Sequence, residues 1–266
     1  MKKHIYYHLY LPDEHAAWSN YLLEQYKPIE DNFLIDAVDK FHLVLVGKPK
    51  NIEMASALAS ALIPKLEIHT FEDKFKSDKD LHTLDTDLHG RNERPMTEYG
   101  TLCLIADHAR REDAHFLYMH AKGVTSYERC LRSGRYAEFR NYLYWRKFLE
   151  WAVVEHWQEC NRMLETYDVV SCNYSEWPMK HFSGNYWWSK SEYIKNIAHI
   201  NDDAWWASEC QKHPDVNPLT WRLRDEMWIC HGENAKIVSL KNADRPPPHG
   251  TLAVDLMCRR MYAGYN

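Results

Sequence analysis

The chain has 266 residues, of which 45% are hydrophobic and 27% are charged, and its formal net charge at pH 7 is -5. This length and balance are typical of one folded α/β domain and exclude a disordered or fibrous chain. The acidic balance, with a pI near 6.3, argues against nucleic acid as the main partner.

The cysteine usage indicates a reducing compartment. Seven cysteines are scattered along the chain without a CxxC pair, which favours reduced thiols over a disulfide framework and predicts a cytoplasmic location. The first residues lack the apolar core of a secretory leader. No stretch approaches the roughly 18 uninterrupted apolar residues of a membrane helix, so we expect no transmembrane segment.

The first third of the chain alternates strand and helix patterns. In chain order we predict strand 5–11, helix 16–28, strand 41–47, helix 52–63 and strand 65–71. Asn51 is the predicted N-cap of the second helix. Strands that alternate with helices in this way predict a parallel sheet with right-handed crossovers, whose ligands bind beyond the carboxyl ends of the strands.

The rest of the chain continues the pattern after a polar stretch, 72–93, that has no period and is predicted to be a long surface loop. The further predicted elements are helix 96–110, strand 115–120, loop 121–135, a long helix over 139–164, strand 168–172, an extended run 181–188, helix 191–200, helix 220–231 and strand 236–240. Together they predict a single three-layer α/β/α domain over 1–266 with a mostly parallel central sheet and a tail from about 241.

The exit from the predicted fourth strand carries two basic groups. His120 and Lys122 follow a buried strand, and Gly123 allows the backbone to come close to a ligand. The Lys122 ammonium is suited to stabilising a diphosphate. The alternative is that His120 is a hydrogen-bonded edge residue and Lys122 a solvated loop lysine. Arg140 and Arg146 follow on the next helix, where they can reach a phosphate or form ordinary salt bridges.

Four elements in order carry a family resemblance: Tyr-Met-His-Ala-Lys-Gly at 118–123, Trp145-Arg146, Tyr-Asp-Val-Val at 167–170, and the run from His181 to Trp188. They resemble a family of GT-A-type glycosyltransferases of bacteria and large DNA viruses, which includes an N-terminal domain of a chlorella-virus protein. The resemblance spans roughly residues 95–240.

This resemblance implies a GT-A-like (Rossmann-like) fold and a nucleotide-sugar donor, with a UDP-sugar favoured. It also implies transfer of a hexose or deoxyhexose to a glycan acceptor in polysaccharide biosynthesis.

The chain departs from that family at the metal site. GT-A enzymes usually end the fourth strand in Asp-x-Asp, which holds a divalent ion such as manganese or magnesium against the diphosphate. Here the position reads His120-Ala121-Lys122. Either Lys122 supplies the positive charge or a metal binds elsewhere. The literal Asp-x-Asp is Asp85-Thr86-Asp87, in the polar loop, where a solvated role is the alternative.

Two carboxylates near the start of the helix at 220 are candidates for the acceptor step. Glu226 is the first candidate and Asp225 the second. Either can act as the base that deprotonates the acceptor if the reaction inverts the anomeric centre. If the reaction retains that configuration, neither need act as a base. The alternative is that both are ordinary acids of the helix surface.

The run 181–188 supplies candidates for sugar binding. A continuous strand would place His181, Ser183 and Asn185 on one face, where they can bond sugar hydroxyls. Trp187 and Trp188 would point to opposite faces, so only one can stack on a sugar, and we assign Trp187 this role.

A non-catalytic module that binds a nucleotide sugar or glycan is the alternative function, because the Asp-x-Asp is missing. The sequence has no GxSxG, GxGxxG, P-loop or HExxH motif, which removes the usual markers of other enzyme classes.

Overall fold

The computed structural model describes residues 1–12, 17–72, 98–124, 127–213 and 221–240. The strands are β1 (Lys2–Leu11), β2 (Lys40–Gly47), β3 (Leu66–Glu72), β4 (Ala114–His120), β5 (Val169–Ser171), β6 (Tyr174–Ser175), β7 (His181–Phe182), β8 (Trp187–Lys190) and β9 (Ile237–Ser239). The helices are α1 (Ala17–Asp31), α2 (Leu34–Ala37), α3 (Pro49–Leu62), α4 (Glu98–Ala109), α5 (Tyr127–Arg132), α6 (Tyr136–Glu150), α7 (Trp157–Met163), α8 (Ser191–Ile194), α9 (Asp203–Lys212) and α10 (Trp221–Met227).

A seven-stranded sheet forms the centre, in the order β3-β2-β1-β4-β8-β5-β9. The pairs β1/β2, β1/β4, β2/β3 and β5/β9 are parallel, and β8 runs antiparallel to β4 and β5. A separate two-stranded sheet pairs β6 with β7. The predicted fold class is confirmed as an α/β fold with a mostly parallel central sheet, whose strand order has the Rossmann-like reversal at β1.

Both faces of the sheet are covered, as a parallel sheet requires. Alternate side chains of β1 divide between the faces: Ile5, Tyr7 and Leu9 pack with helices α1, α2, α3, α6 and α7. Tyr6 packs on the other face with α4 and α8. The period-two alternation of a strand therefore builds two hydrophobic cores from one sheet, which makes three layers.

Helix boundaries depart from the sequence prediction at two places. Helix α1 continues past Pro28 to Asp31. Helix α3 begins at Pro49 with Lys48 as the N-cap, because proline suits the first helical position. Asn51 is therefore inside the helix, and its amide donates to the Pro12 carbonyl at 3.3 Å. The predicted N-cap role of Asn51 is wrong.

Three longer segments also differ from their predictions. The long helix predicted over 139–164 is interrupted by a π-helical segment, Trp151–Glu155, between α6 and α7. The run 181–188 is not one strand, because a turn separates β7 from β8. Helix α5 lies in the region predicted as a loop, and α9 was not predicted. The predicted loop 72–93 and tail fall almost entirely outside the described residues, as do Asp85 and Asp87.

Within the described ranges, no helix has the length and apolar character needed to cross a membrane. The six cysteines in those ranges are all free thiols. Five of the six are buried, so these thiols belong mainly to the core.

Replacing Leu45 with alanine tests the packing of the central sheet. Leu45 is fully buried in β2, so Leu45→Ala should lower the free energy of unfolding by about 2–5 kcal/mol through lost burial and a residual cavity. The matched control is Leu23→Ala, since Leu23 is 44% exposed and should change stability by no more than about 0.5 kcal/mol. Urea denaturation measures both changes, and equal losses in the two variants would contradict this core.

Candidate functional site

The site forms where the parallel strands end at one edge of the sheet. The chain passes from β1 to β2 and β3 on one side and then returns to β4 on the other side of β1. This reversal makes a topological switch point between β1 and β4, where open α/β sheets bind their ligands. Because β8 is antiparallel, the residues that precede it lie at the same edge, with Trp187 opposite Tyr118.

Lys122 is held in a defined position just after β4. Its side chain is buried, and the ammonium Nζ lies 3.9 Å from the centroid of the Trp145 ring, a cation–π contact. Gly123 has φ +88, and a Cβ there would lie 3.1 Å from the Tyr142 Cβ. Lys122 is therefore not the solvated loop lysine of the alternative interpretation, and the glycine permits a turn that larger residues would strain.

Glu98 connects three residues of this edge. Its Oε2 lies 3.4 Å from His120 Nδ1 and accepts hydrogen bonds from Tyr118 at 2.9 Å and from the Asn185 amide at 2.6 Å. Glu98 is the first residue of α4, where a carboxylate is favoured by the helix dipole. The carboxylate thus joins β4, α4 and the segment before β8 in one polar cluster.

A fully buried amide network lies behind His120. Gln25 Oε1 accepts from the Tyr7 hydroxyl at 2.8 Å, and Gln25 Nε2 donates to the Tyr186 hydroxyl at 2.8 Å and to the His120 carbonyl at 3.2 Å. The Tyr186 hydroxyl also donates to that carbonyl. Each buried polar group is therefore paired, and the exit of β4 is fixed to α1 and to the start of β8.

The predicted sugar-binding residues do not share a strand face. Gly184 and Asn185 have positive φ values, +100 and +52, and turn the chain between β7 and β8. His181 Nε2 lies 3.0 Å from Ser183 Oγ, so these two side chains pair with each other. Trp187 is fully buried and lies 5.3 Å from the Tyr118 ring.

The structure places Trp187 in the core, and its ring has no exposed face for a sugar. Its indole N–H donates to Asn185 Oδ1 at 3.0 Å, so Asn185 links the core to the Glu98 cluster. Trp188 points to the other face and is also fully buried, with its indole donating to the Val153 carbonyl at 2.7 Å. Neither tryptophan has an exposed ring face on which a ligand could stack.

Arg146 is engaged by the protein itself. Its guanidinium is buried, pairs with Glu24, lies 3.4 Å from Glu150 and packs 4.4 Å from the centroid of the Tyr21 ring. Burial alone would lower the pKa of Arg146, but the carboxylate of Glu150 and the other acidic neighbours raise it. These contacts neutralise the charge and favour a structural role over the predicted donor contact.

Helix α10 places the acceptor-side candidates beside the polar cluster. Asp225 is buried, and its carbonyl accepts from the Asn185 amide at 3.3 Å. Glu226 is partly exposed. Arg224 is buried and bonds Asp203 at 2.8 Å, while its Nε and one terminal nitrogen have no hydrogen-bond partner in the part of the chain that is described. Burial lowers the pKa of Arg224.

The described residues contain two side-chain groups that could hold a metal ion, and neither lies at this edge. One is His4, His42 and His108, and the other is His42, Glu67 and His69. Both include His42 of β2, and β2 lies on the far side of β1 from β4. The position of the usual Asp-x-Asp is occupied by His120 and Lys122.

The sequence predicted His120, Lys122 and Asn185 at this edge but missed Glu98 and Gln25. Glu98 stands just inside a predicted helix and Gln25 on a predicted helix, with no motif around either. The one local signal for Glu98 is that it is an acidic residue in the first turn of α4. Acidic residues are common at that position in helices of any function, so the signal does not indicate a site. Their role depends on strands and helices that are distant in sequence.

Comparison with known proteins shows the family of this chain. A family model described as "Domain of unknown function (DUF8361)" matches residues 6–213, so the chain belongs to that family. No curated protein matches it. Among solved structures, 4-diphosphocytidyl-2C-methyl-D-erythritol synthase from Anaerococcus prevotii DSM 20548 is similar over 97% of this chain and 96% of its own, at 7% identity and a TM-score of 0.38. These values are too low to indicate a shared activity.

Asn185→Asp tests the contact with Glu98. The new carboxylate would face Glu98 Oε2 across the present 2.6 Å contact, and repulsion should raise the pKa of the pair in the folded state. When the pKa of a carboxyl group is higher in the folded than in the unfolded state, the free energy of unfolding falls as the pH rises. Relative to wild type, the variant should therefore be less stable by about 3 kcal/mol or more at pH 7 and by a smaller amount near pH 5.

Urea denaturation across this pH range measures the effect. The control is Asn196→Asp, the same change at an exposed residue, which should show no comparable loss. A pH-independent loss in Asn185→Asp would contradict the close approach of the two side chains.

Proposed function

We propose that this member of the DUF8361 family is a glycosyltransferase that moves a sugar from a nucleoside-diphosphate sugar to a hydroxyl group of a glycan or other acceptor. A UDP-sugar is the favoured donor. The observation that carries the proposal is Lys122, a buried ammonium held on the Trp145 ring at the switch point of the sheet. A cation that is already desolvated and oriented needs little reorganisation when negative charge develops nearby.

The donor reaction calls for charge stabilisation on the diphosphate. As the bond between the anomeric carbon and the phosphate oxygen breaks, the electron pair passes to the leaving nucleoside diphosphate. Lys122 is assigned to this charge, and Gly123 allows the backbone to approach the phosphates. The Arg224 N–H groups that have no hydrogen-bond partner among the described residues add a second cationic group that can donate hydrogen bonds to an anionic ligand.

The acceptor reaction calls for removal of one proton. The acceptor oxygen forms a bond to the anomeric carbon, and its proton passes to a base. In an inverting reaction we assign this base to the acidic pair of α10. Glu226 is partly exposed and so can meet an acceptor, whereas Asp225 is buried beside the Asn185 amide. Glu98 contacts His120 and Asn185, and we assign these two residues a place between the donor and acceptor sides.

A divalent metal such as Mn²⁺ or Mg²⁺ remains part of the proposal as an assisting ion on the diphosphate. The replacement of Asp-x-Asp by His120-Ala121-Lys122 favours a reaction in which Lys122 carries much of that charge instead. The same replacement supports the second candidate function, a module that binds a nucleotide sugar or glycan without catalysis.

Removing the Lys122 charge should weaken donor binding. Lys122→Ala should lower the affinity for UDP or a UDP-sugar by about 10–100-fold, since a charge-assisted hydrogen bond contributes about 1.5–3 kcal/mol. The matched control is Lys27→Ala, because Lys27 is an exposed lysine of α1 paired with Asp31. Titration calorimetry measures binding, and release of nucleoside diphosphate, with and without Mn²⁺, measures turnover.

Unchanged affinity and turnover in a folded Lys122→Ala would overturn the role of Lys122. Donor binding by the wild-type protein without release of nucleoside diphosphate, over a panel of donors and acceptors, would support the binding module instead.

Removing the base should lower transfer while donor binding persists. Glu226→Gln or Asp225→Asn should reduce the transfer rate by about 100-fold or more, the range of general-base effects. Glu192→Gln, a change at an exposed acid of α8, is the control. Donor titration and the thermal midpoint separate loss of the base from loss of the fold. Full activity in both variants would exclude this acidic pair as the base.

A further inference from the structure

A second cluster of ionisable side chains lies on the same sheet, away from Lys122. His42 on β2 and Glu67 and His69 on β3 face the α4 side, and their ligand atoms approach one another closely. Residues 67 and 69 are two apart on one strand, so they share a face, and His42 is directly opposite Glu67 in the register. The backbone pairing of two adjacent strands therefore brings these three side chains together.

The three ligand atoms form a compact triangle. His42 Nδ1 lies 3.1 Å from His69 Nε2 and 3.9 Å from Glu67 Oε1, and His69 Nε2 lies 3.7 Å from Glu67 Oε1. The point in the plane of the three atoms that is equidistant from them is about 2.1 Å from each, close to the bond length of Zn²⁺ to imidazole nitrogen or carboxylate oxygen. The triangle thus has the dimensions of a three-ligand metal site before any side chain moves.

The neighbouring hydrogen bonds leave the correct nitrogen of His42 available. Lys2 and the nearby histidines hold the pKa of Glu112 at about 2, so Glu112 is a carboxylate that accepts from His4 Nε2 at 2.8 Å. A neutral His4 then accepts at Nδ1, which lies 3.3 Å from His42 Nε2. His42 therefore carries its proton on Nε2, and its Nδ1 lone pair points towards His69 and Glu67.

This chain of contacts is the outer support that a metal-binding imidazole needs. Ligand histidines commonly donate their second ring nitrogen to a carboxylate or carbonyl, which fixes the ring and its tautomer. Here the link passes through His4 to Glu112. Tyr6 stacks on the His42 ring with centroids 4.2 Å apart, which holds the plane of the ring.

The cluster is also open to solvent on one side. The Glu67 side chain is 45% exposed and that of His69 is 23% exposed, whereas His42 is 4% exposed. An ion can enter from the edge strand, and solvent can supply a fourth ligand. The second carboxylate oxygen of Glu67 lies 3.6 Å from the Lys40 ammonium, which leaves Oε1 for the ion.

We propose that His42, Glu67 and His69 bind a divalent transition-metal ion of the zinc class, with water as the fourth ligand. Two imidazoles and one carboxylate, completed to four ligands by water, suit Zn²⁺ and Co²⁺ better than Mg²⁺ or Ca²⁺, which prefer all-oxygen sites. Such an ion would join the edge strand β3 to β2. This site is separate from the donor site and does not depend on the proposed function.

Metal titration of the tag-free, metal-stripped full chain tests the site. Wild-type protein should bind Zn²⁺, and Co²⁺ should give the visible absorption of a tetrahedral nitrogen and oxygen site. His69→Gln and Glu67→Gln change partly exposed residues, so both should fold. Mutation of a group that only supports a ligand lowers metal affinity by about 10–100-fold. Because each of these variants removes a ligand itself, its Zn²⁺ affinity should fall by at least that much. Zn²⁺ should raise the thermal midpoint of the wild type more than that of either variant.

Two controls make the outcome decisive. His199→Gln alters a histidine that pairs with Asp107 outside the cluster and should leave the affinity unchanged. His108→Gln distinguishes the alternative group of His4, His42 and His108, and we expect it to weaken binding less than His69→Gln does. Three results would each overturn the proposal. The wild type does not bind Zn²⁺, or His69→Gln and Glu67→Gln both keep the wild-type affinity, or His108→Gln loses more Zn²⁺ affinity than His69→Gln does.

Discussion

The parallel pairing of β1 with strands on both sides is the constraint on which the rest of the molecule depends. Because β2 and β4 both run parallel to β1, their carboxyl ends meet at one edge, and the crossovers must cover the sheet with helices. That pairing creates the switch point near Lys122. It also buries the β1 side chains from His4 to Leu9 on one face of the sheet or the other, so even the polar residues among them need partners.

Those partners couple the core to the site. On one face, the hydroxyl of Tyr7 bonds Gln25, which in turn bonds the carbonyl of His120 and the hydroxyl of Tyr186. On the other face, His8 bonds Thr101 of α4 at 2.9 Å. Burial lowers the pKa of His8 to about 4, so this contact joins neutral groups. The edge that carries Lys122 therefore rests on a backbone fixed from both sides, as preorganised charge stabilisation requires.

The two proposed sites use the same sheet differently. The donor site depends on side chains and turns beyond the strand ends, where Gly123, Gly184 and Asn185 adopt left-handed conformations. The metal site depends on side chains within β2 and β3, whose spacing follows from strand pairing alone. A glycosyltransferase that carries both would place its chemistry at the loop edge and a structural ion at the outer strand, and the two could be altered separately.

The periodicity of the sequence was enough to locate β1 to β4, helices α1 and α3 but not the short α2, and the basic exit of β4 with His120, Lys122 and Gly123. These features follow from local preferences: alternating or continuous apolar runs for strands, and residue type after a strand. Sequence patterns did not predict the turn that separates His181 from Trp187, because positive φ at Asn185 is stabilised by contacts with Glu98 and Trp187. Nor did they reveal Glu98, Gln25 or the triangle of His42, Glu67 and His69. Those groups are separated along the chain and meet only when the strands pair and α1 and α4 pack on the sheet, so tertiary structure alone determines which polar side chains come together.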